Sequence, residues 1–271
     1  MSTISSSSAS ASTPARGRSI RHVAAILRRE WSLVLPITAI QLTVGGFVGI
    51  LTWWPVSYVY QQLALVLGTA IALLVSGLLL VAVIHTLLTR ESQGTFVRSL
   101  VYAARYLPTF LLLLLIGGGV LMVGSLLLVV PALLLVGYGI LTLPVVVAEG
   151  CRGVSAMVRS AALVWGAWWS VVGRAVLILG GANALAVIGF LGLANLLETV
   201  VLQPIFIGVF LVSVFLVDAG LILITAATLV TLYRERRQVA PPLSAGARAR
   251  LHSITSTLAI LGWVLLLGLQ V

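Results

Sequence analysis

The chain has 271 residues, 61% hydrophobic and 8% charged, with a formal net charge of +10 and a mean hydropathy of +1.19. A soluble domain carries roughly 25% charged residues, so this composition excludes an ordinary soluble fold and points to lipid as the solvent. All sixteen basic residues are Arg, and residues 31–89, 106–148 and 175–197 hold no formal charge.

A span needs about 20 apolar residues to cross ~30 Å of hydrocarbon. Lipid cannot hydrogen-bond the backbone, which leaves helices or closed barrels. Runs such as LLLLLIGGG and ALLLVGYGIL do not alternate as barrel strands do. The expected fold is all-α: six transmembrane helices as three hairpins, each preceded by an amphipathic interfacial helix, plus a seventh C-terminal helix.

Residues 1–18 are Ser-rich and read as a disordered cytoplasmic tail; with no apolar core within the first 30 residues, they do not read as a signal peptide. The membrane domain is expected over 19–237. It opens with a short amphipathic helix bearing Arg21, Arg28 and Arg29, followed by a span at 32–52 with the close-packing glycines Gly45 and Gly49. Trp53, Trp54, Tyr58 and Tyr60 form an interfacial aromatic cluster, and a second span, 61–87, returns to Arg90.

The second unit repeats the plan. Residues 95–106 carry Arg98, Tyr102 and Arg105 on one helical face, and spans follow at 109–128 and 132–148 with Pro131 as the turn. In the third unit Arg152, Ser155 and Arg159 share a polar face, and Trp165, Trp168 and Trp169 mark the interface. Spans at 170–192 and 205–232 follow, and Tyr233-Arg234-Glu235-Arg236-Arg237 closes the last. Arg174, just inside span five, is expected to snorkel to the headgroups. Each unit carries a double glycine, Gly45-Gly46, Gly118-Gly119 and Gly180-Gly181, and the stretches GGGVLMVG and GGANALAVIG are expected as close-packing faces. Residues 238–252 read as a cytoplasmic linker, and 253–271 as an apolar helix of which 254–271 is just long enough to span.

The expected external loops, 53–60, 129–131 and 193–204, hold no Arg and one acid, Glu198. The basic bias sets orientation, so a cytoplasmic N-terminus and an inner-membrane location are expected. The Arg-rich, Lys-free composition suggests a GC-rich bacterial genome. Topology accounts for the Arg residues, so no nucleic-acid partner is expected; anionic lipid headgroups are. One cysteine, Cys151, allows no internal disulfide.

Residues 96–175 contain FVRSLVYAARYLPTFLLLLL, LLLVVPALLLVGYGILTLPVVVAEG and GVSAMVRSAALVWGAWWSVV. This stretch resembles a largely uncharacterised family of bacterial and archaeal membrane proteins that includes the membrane domain fused to some glycerophosphodiester phosphodiesterases. Pro131, Pro144, Glu149, Gly150, Ala156, Arg159, Ser160, Leu163 and Trp168 match the family's pattern. The resemblance implies the hairpin plan over residues 20–237. No phosphodiesterase domain is read in the chain, so that activity is not implied, and segment 254–271 extends beyond the family's six helices.

Asp218 is the sharpest single residue, since an ionised carboxylate at mid-span costs ~2.5–3.5 kcal/mol on insertion scales. It is either a proton, cation or counter-ion site, or a helix-gluing acid partnered by Ser213, Thr225 or Asn183. Glu149-Gly150 reads as a helix end, with Glu149 able to pair with Arg152 or Arg159. His22, His85 and His252 lie on separate segments without metal-ligand spacing. No catalytic constellation, metal site or cofactor is expected. The functional expectation is a non-enzymatic scaffold or accessory protein that contacts anionic lipid or membrane-protein partners through Arg98, Arg105, Arg152 and Arg159. The alternative is a small transporter or channel with Asp218 in its pathway.

Overall fold

The computed structural model describes residues 15–53, 58–89, 96–113, 137–198 and 203–239, with isolated helical positions from Gly246 to Val264 beyond them. Every regular element among the described residues is helical. The chain runs through α1 (Ala15–Glu30), a 3-10 turn (Trp31–Leu33), α2 (Val34–Trp53), α3 (Tyr58–Leu88), α4 (Phe96–Arg105) and α5 (Leu107–Leu113). It continues through α6 (Thr142–Glu149), α7 (Val154–Val164), α8 (Trp168–Ala175), a π turn (Val176–Gly180), α9 (Gly181–Glu198) and α10 (Gln203–Val239).

Three stretches, Val66–Leu88, Trp168–Gly192 and Val212–Val239, are long and apolar enough to cross a membrane. The number rises to five if each of two bent pairs counts as one span. Pro131, Gly118-Gly119, most of the expected span 109–128, residues 132–136 of its partner and most of 253–271 lie outside the described residues.

A proline stands at the first bend, and left-handed glycines at the second. Pro108 cannot donate to the carbonyl of Ala104 four residues back, and the chain turns by 59° between α4 and α5. Pro144 likewise cannot donate to Ile140, and the helix breaks at residues 140–141. Over its described part, 137–148, the expected span 132–148 is helical apart from this break, and α6 is the part beyond it. Ser160 of α7 repairs the break, because its Oγ accepts from the Leu141 N–H at 3.1 Å and donates to the Tyr138 carbonyl at 2.7 Å. Gly150, at φ 67°, ends α6 in the left-handed conformation that costs a glycine least. The chain then reverses by 114° into α7.

α10 is the central post. One core packs Ile37 of α2, Leu79, Val83 and Ile84 of α3, and Leu223, Ala227 and Val230 of α10. A second packs Leu141, Val145 of α6, Leu163 and Val164 of α7, Val171 of α8, and Leu232 and Tyr233 of α10. Lipid supplies no hydrophobic drive between helices, so close van der Waals contact must hold them. Gly45 of α2 lets Phe215 of α10 approach, Gly77 of α3 lets Phe110 of α5 in, and Gly137 lies against the Trp168 indole and Val172. The expectation for Gly180 and Gly181 is corrected. Among the described residues nothing but Val176, 3.9 Å away at Gly180, would meet a Cβ at these two positions, because beyond Val176 this span leaves most of its side chains outside the core. The first helix, α1, begins at Ala15.

Overpacking a close helix contact costs about 1–3 kcal/mol. Gly137→Leu is expected to lower the thermal midpoint of the detergent-solubilised protein by several degrees, whereas Gly189→Leu, where nothing lies within 4 Å, is expected to change it little. Equal midpoints in a fluorescence melt would remove Gly137 as a packing determinant.

Candidate functional site

The chemistry-bearing side chains gather at two levels. The first is within the span of α10. Asp218 pairs with Gln41 of α2, whose Nε2 donates to the Asp218 Oδ2. Gln41 is buried at 5% exposure, and its Oε1 has no hydrogen-bond partner. The pair forms where the helices are closest: Gly45 lies one turn along α2 from Gln41, and Phe215 one turn along α10 from Asp218. The expected partners Thr225 and Asn183 are corrected. Each bonds its own helix, Thr225 to the Leu221 carbonyl at 2.7 Å and Asn183 to the Leu179 carbonyl at 2.8 Å. Thr38, Thr43, Thr86, Thr228 and Thr231 bond back in the same way, which satisfies a hydroxyl in an apolar medium without an interhelical partner.

The second level is the arginine-rich end, where α3, α6 and α10 all terminate. The last carbonyls of a helix lack intrahelical partners, and α10 supplies two of the donors. Arg234 Nη2 donates to the Leu87 carbonyl of α3 at 2.8 Å, and Arg236 Nε to the Leu163 carbonyl of α7 at 2.8 Å. Glu149, the last residue of α6, accepts from Arg159 Nε at 2.8 Å and from the Tyr233 hydroxyl at 3.0 Å. Arg174 is paired with Glu235 of α10 at 2.5 Å and also donates to the Ser170 carbonyl and hydroxyl, which holds it at the arginine-rich end.

Arg98, Arg105 and Arg152 are exposed. Arg98 and Arg105 ride on α4, which buries Ser99 and Ala103 and exposes Val97 and Val101. His85 of α3 fixes this register, bonding Ser99 Oγ through Nδ1 at 3.0 Å and stacking on Tyr102 at 3.9 Å between centroids. Arg152 lies 5.9 Å from the centroid of the Tyr106 ring. Of the motif residues, Ala156 and Leu163 are fully buried, Trp168 packs edge-on against Trp169, and Pro144, Glu149, Gly150, Arg159 and Ser160 build the α6–α7 corner. Among the described residues no group of three or more His, Cys, Asp or Glu could hold a metal ion.

Sequence reasoning missed Gln41, although a Gln in an otherwise apolar run was the available signal. It also missed the capping roles of Arg234 and Arg236, which no local pattern announces. No protein-family model, curated protein or solved structure matches the chain.

Polar pairs between membrane helices are worth about 0.6–2 kcal/mol. Gln41→Leu and Asp218→Leu are each expected to destabilise the fold, and the double variant by less than their sum. Denaturant titration of the four proteins gives the coupling; strict additivity would show that the pair contributes nothing.

Proposed function

We propose that the chain is a multi-pass protein of the cytoplasmic membrane, with six spans in three hairpins and the arginine-rich end on the cytoplasmic side. We infer a non-enzymatic scaffold or accessory role in which this end holds anionic lipid and presents a surface to other membrane proteins. The plan matches the family that the α4–α8 region resembles.

The supporting observation is the division of labour among the arginines. Arg159, Arg174, Arg234 and Arg236 bond to carboxylates or helix carbonyls within the fold. Arg98 and Arg105 lie exposed beside exposed Val97 and Val101 on one short helix. That face fits the boundary between acyl chains and headgroups, where apolar and cationic side chains are both favoured. Each cation near an anionic surface is worth about 1 kcal/mol. Arg159 leaves the group of lipid contacts in this reading, because Glu149 already neutralises it.

A second reading, a transporter with Asp218 in its path, draws support from the orphaned Gln41 Oε1 beside the carboxylate. An ionised Asp218 accepts from the Gln41 amide N–H; a protonated one could donate to the orphaned oxygen after an amide flip. Two arrangements of one pair are what a proton-coupled site needs.

Lipid analysis of protein purified in mild detergent separates the two. Phosphatidylglycerol is expected to co-purify over phosphatidylethanolamine, several-fold less with R98E/R105E and unchanged with Asp218→Asn. Wild-type lipid content in R98E/R105E would overturn the lipid-holding role; proton flux into proteoliposomes that is lost in Asp218→Ala would then establish the second reading. For orientation, Cys151 is the chain's one cysteine and is partly exposed at the arginine-rich end. A membrane-impermeant maleimide is expected to label it in inside-out vesicles and not in intact spheroplasts; the reverse pattern would invert the topology.

A further inference from the structure

A cavity of about 630 Å³ opens at the arginine-rich end between the C-terminal turns of α3, α6 and α10. Its walls divide by chemistry. Leu88 and Val147 are apolar, whereas Tyr233, Arg234, Arg237 and Gln238, all from α10, bring hydrogen-bond donors. Among the described residues no acid lines it. Glu149, bonded to the lining residue Tyr233, also accepts from Arg159.

We propose that this cavity binds a phosphate group, as the headgroup of an anionic lipid or as a free phosphate. Arg234 and Arg237 are three apart on one helix and so project from the same side. Guanidinium forks match the geometry of phosphate oxygens. Arg234 spends Nη2 on the Leu87 carbonyl, which pins its side chain and leaves its other N–H groups available. Arg237 makes no hydrogen bond or ion pair among the described residues, and its guanidinium lies 6.0 Å from the centroid of the Tyr233 ring. The helix ends oppose an anion here, but a C-terminal dipole amounts to roughly half a negative charge. Two full positive charges exceed it. The volume falls in the range of small-molecule sites, about 300–1,000 Å³. An apolar wall beside a cationic one is the arrangement expected of basic pockets that hold lipid headgroups between membrane helices. The proposal rests on the membrane reading above for the level of the cavity in the bilayer, and not on the α4 surface.

Binding of dioctanoyl phosphatidylglycerol, dioctanoyl phosphatidylcholine and inorganic phosphate to the full chain in uncharged detergent, measured calorimetrically, tests it. Saturable phosphatidylglycerol binding is expected, about tenfold weaker in Arg237→Gln, restored only in part in Arg237→Lys, which keeps the charge and loses the fork, and unchanged in Arg28→Gln. Ala148→Glu, which sets a negative charge on the cavity rim without touching a helix cap, is expected to weaken binding similarly and serves if Arg237→Gln does not fold. Displacement of the lipid by millimolar phosphate assigns the headgroup. Arg237-dependent binding of phosphate with no lipid binding assigns a free phosphate. Phosphatidylglycerol and phosphatidylcholine binding equally, or ligand affinity indifferent to Arg237→Gln and Ala148→Glu, would overturn the proposal. Loss in R98E/R105E alone would overturn it too, while leaving the lipid-holding role of α4 standing.

Discussion

Helix carbonyls that end together at one face of the molecule need donors, and α10 brings many of them. α3, α6 and α10 all finish at the arginine-rich end, so their negative dipole ends converge. Arg234 caps α3, Arg236 reaches the end of α7, and Tyr233 reaches Glu149 at the end of α6. Each charge-assisted bond of this kind is worth about 1.5–3 kcal/mol. Four consecutive residues near the C-terminus of one helix thus tie that helix to three others and to α8 through Glu235. The two apolar cores meet on either side of this knot.

That constraint changes the meaning of the positive charge. A basic bias at one end of a membrane protein is usually assigned to topology, yet part of it here is structural. An arginine that donates to a buried carbonyl or a carboxylate cannot also hold a headgroup with the same N–H groups. Among the described residues the division leaves outward-facing Arg21, Arg28 and Arg29 on α1, Arg98 and Arg105 on α4, Arg152 at the α7 corner and Arg237 at the cavity. The functional proposals rest on Arg98, Arg105 and Arg237.

Within the spans the polar groups obey a complementary rule. Thr38, Thr43, Thr86, Thr225, Thr228 and Thr231, with Asn183 and Asn195, return their side-chain N–H or O–H bonds to their own helices. The Gln41–Asp218 pair does link two helices, and it does so where Gly45 removes a Cβ and lets α10 come close. Small residue and polar pair therefore act as one unit, the glycine setting the distance and the amide and carboxylate using it.

The sequence by itself determined that the chain is helical and suited to a membrane. Long uncharged apolar runs have few other solutions when the solvent offers no hydrogen bonds. It also marked Glu149-Gly150 as a helix end, since a glycine that closes an apolar run is a local signal. It did not reveal that the helix breaks at residues 140–141 and that Ser160 bridges the break, nor that Arg174 turns to Glu235 and Asp218 to Gln41. Those pairings join residues 61 and 177 positions apart. Local periodicity carries information about which face of a helix a residue occupies, not about which other helix meets that face. Only the tertiary structure decided which arginines were consumed by helix ends and which were left exposed, because a carbonyl's need for a donor is met by whatever packing brings near it.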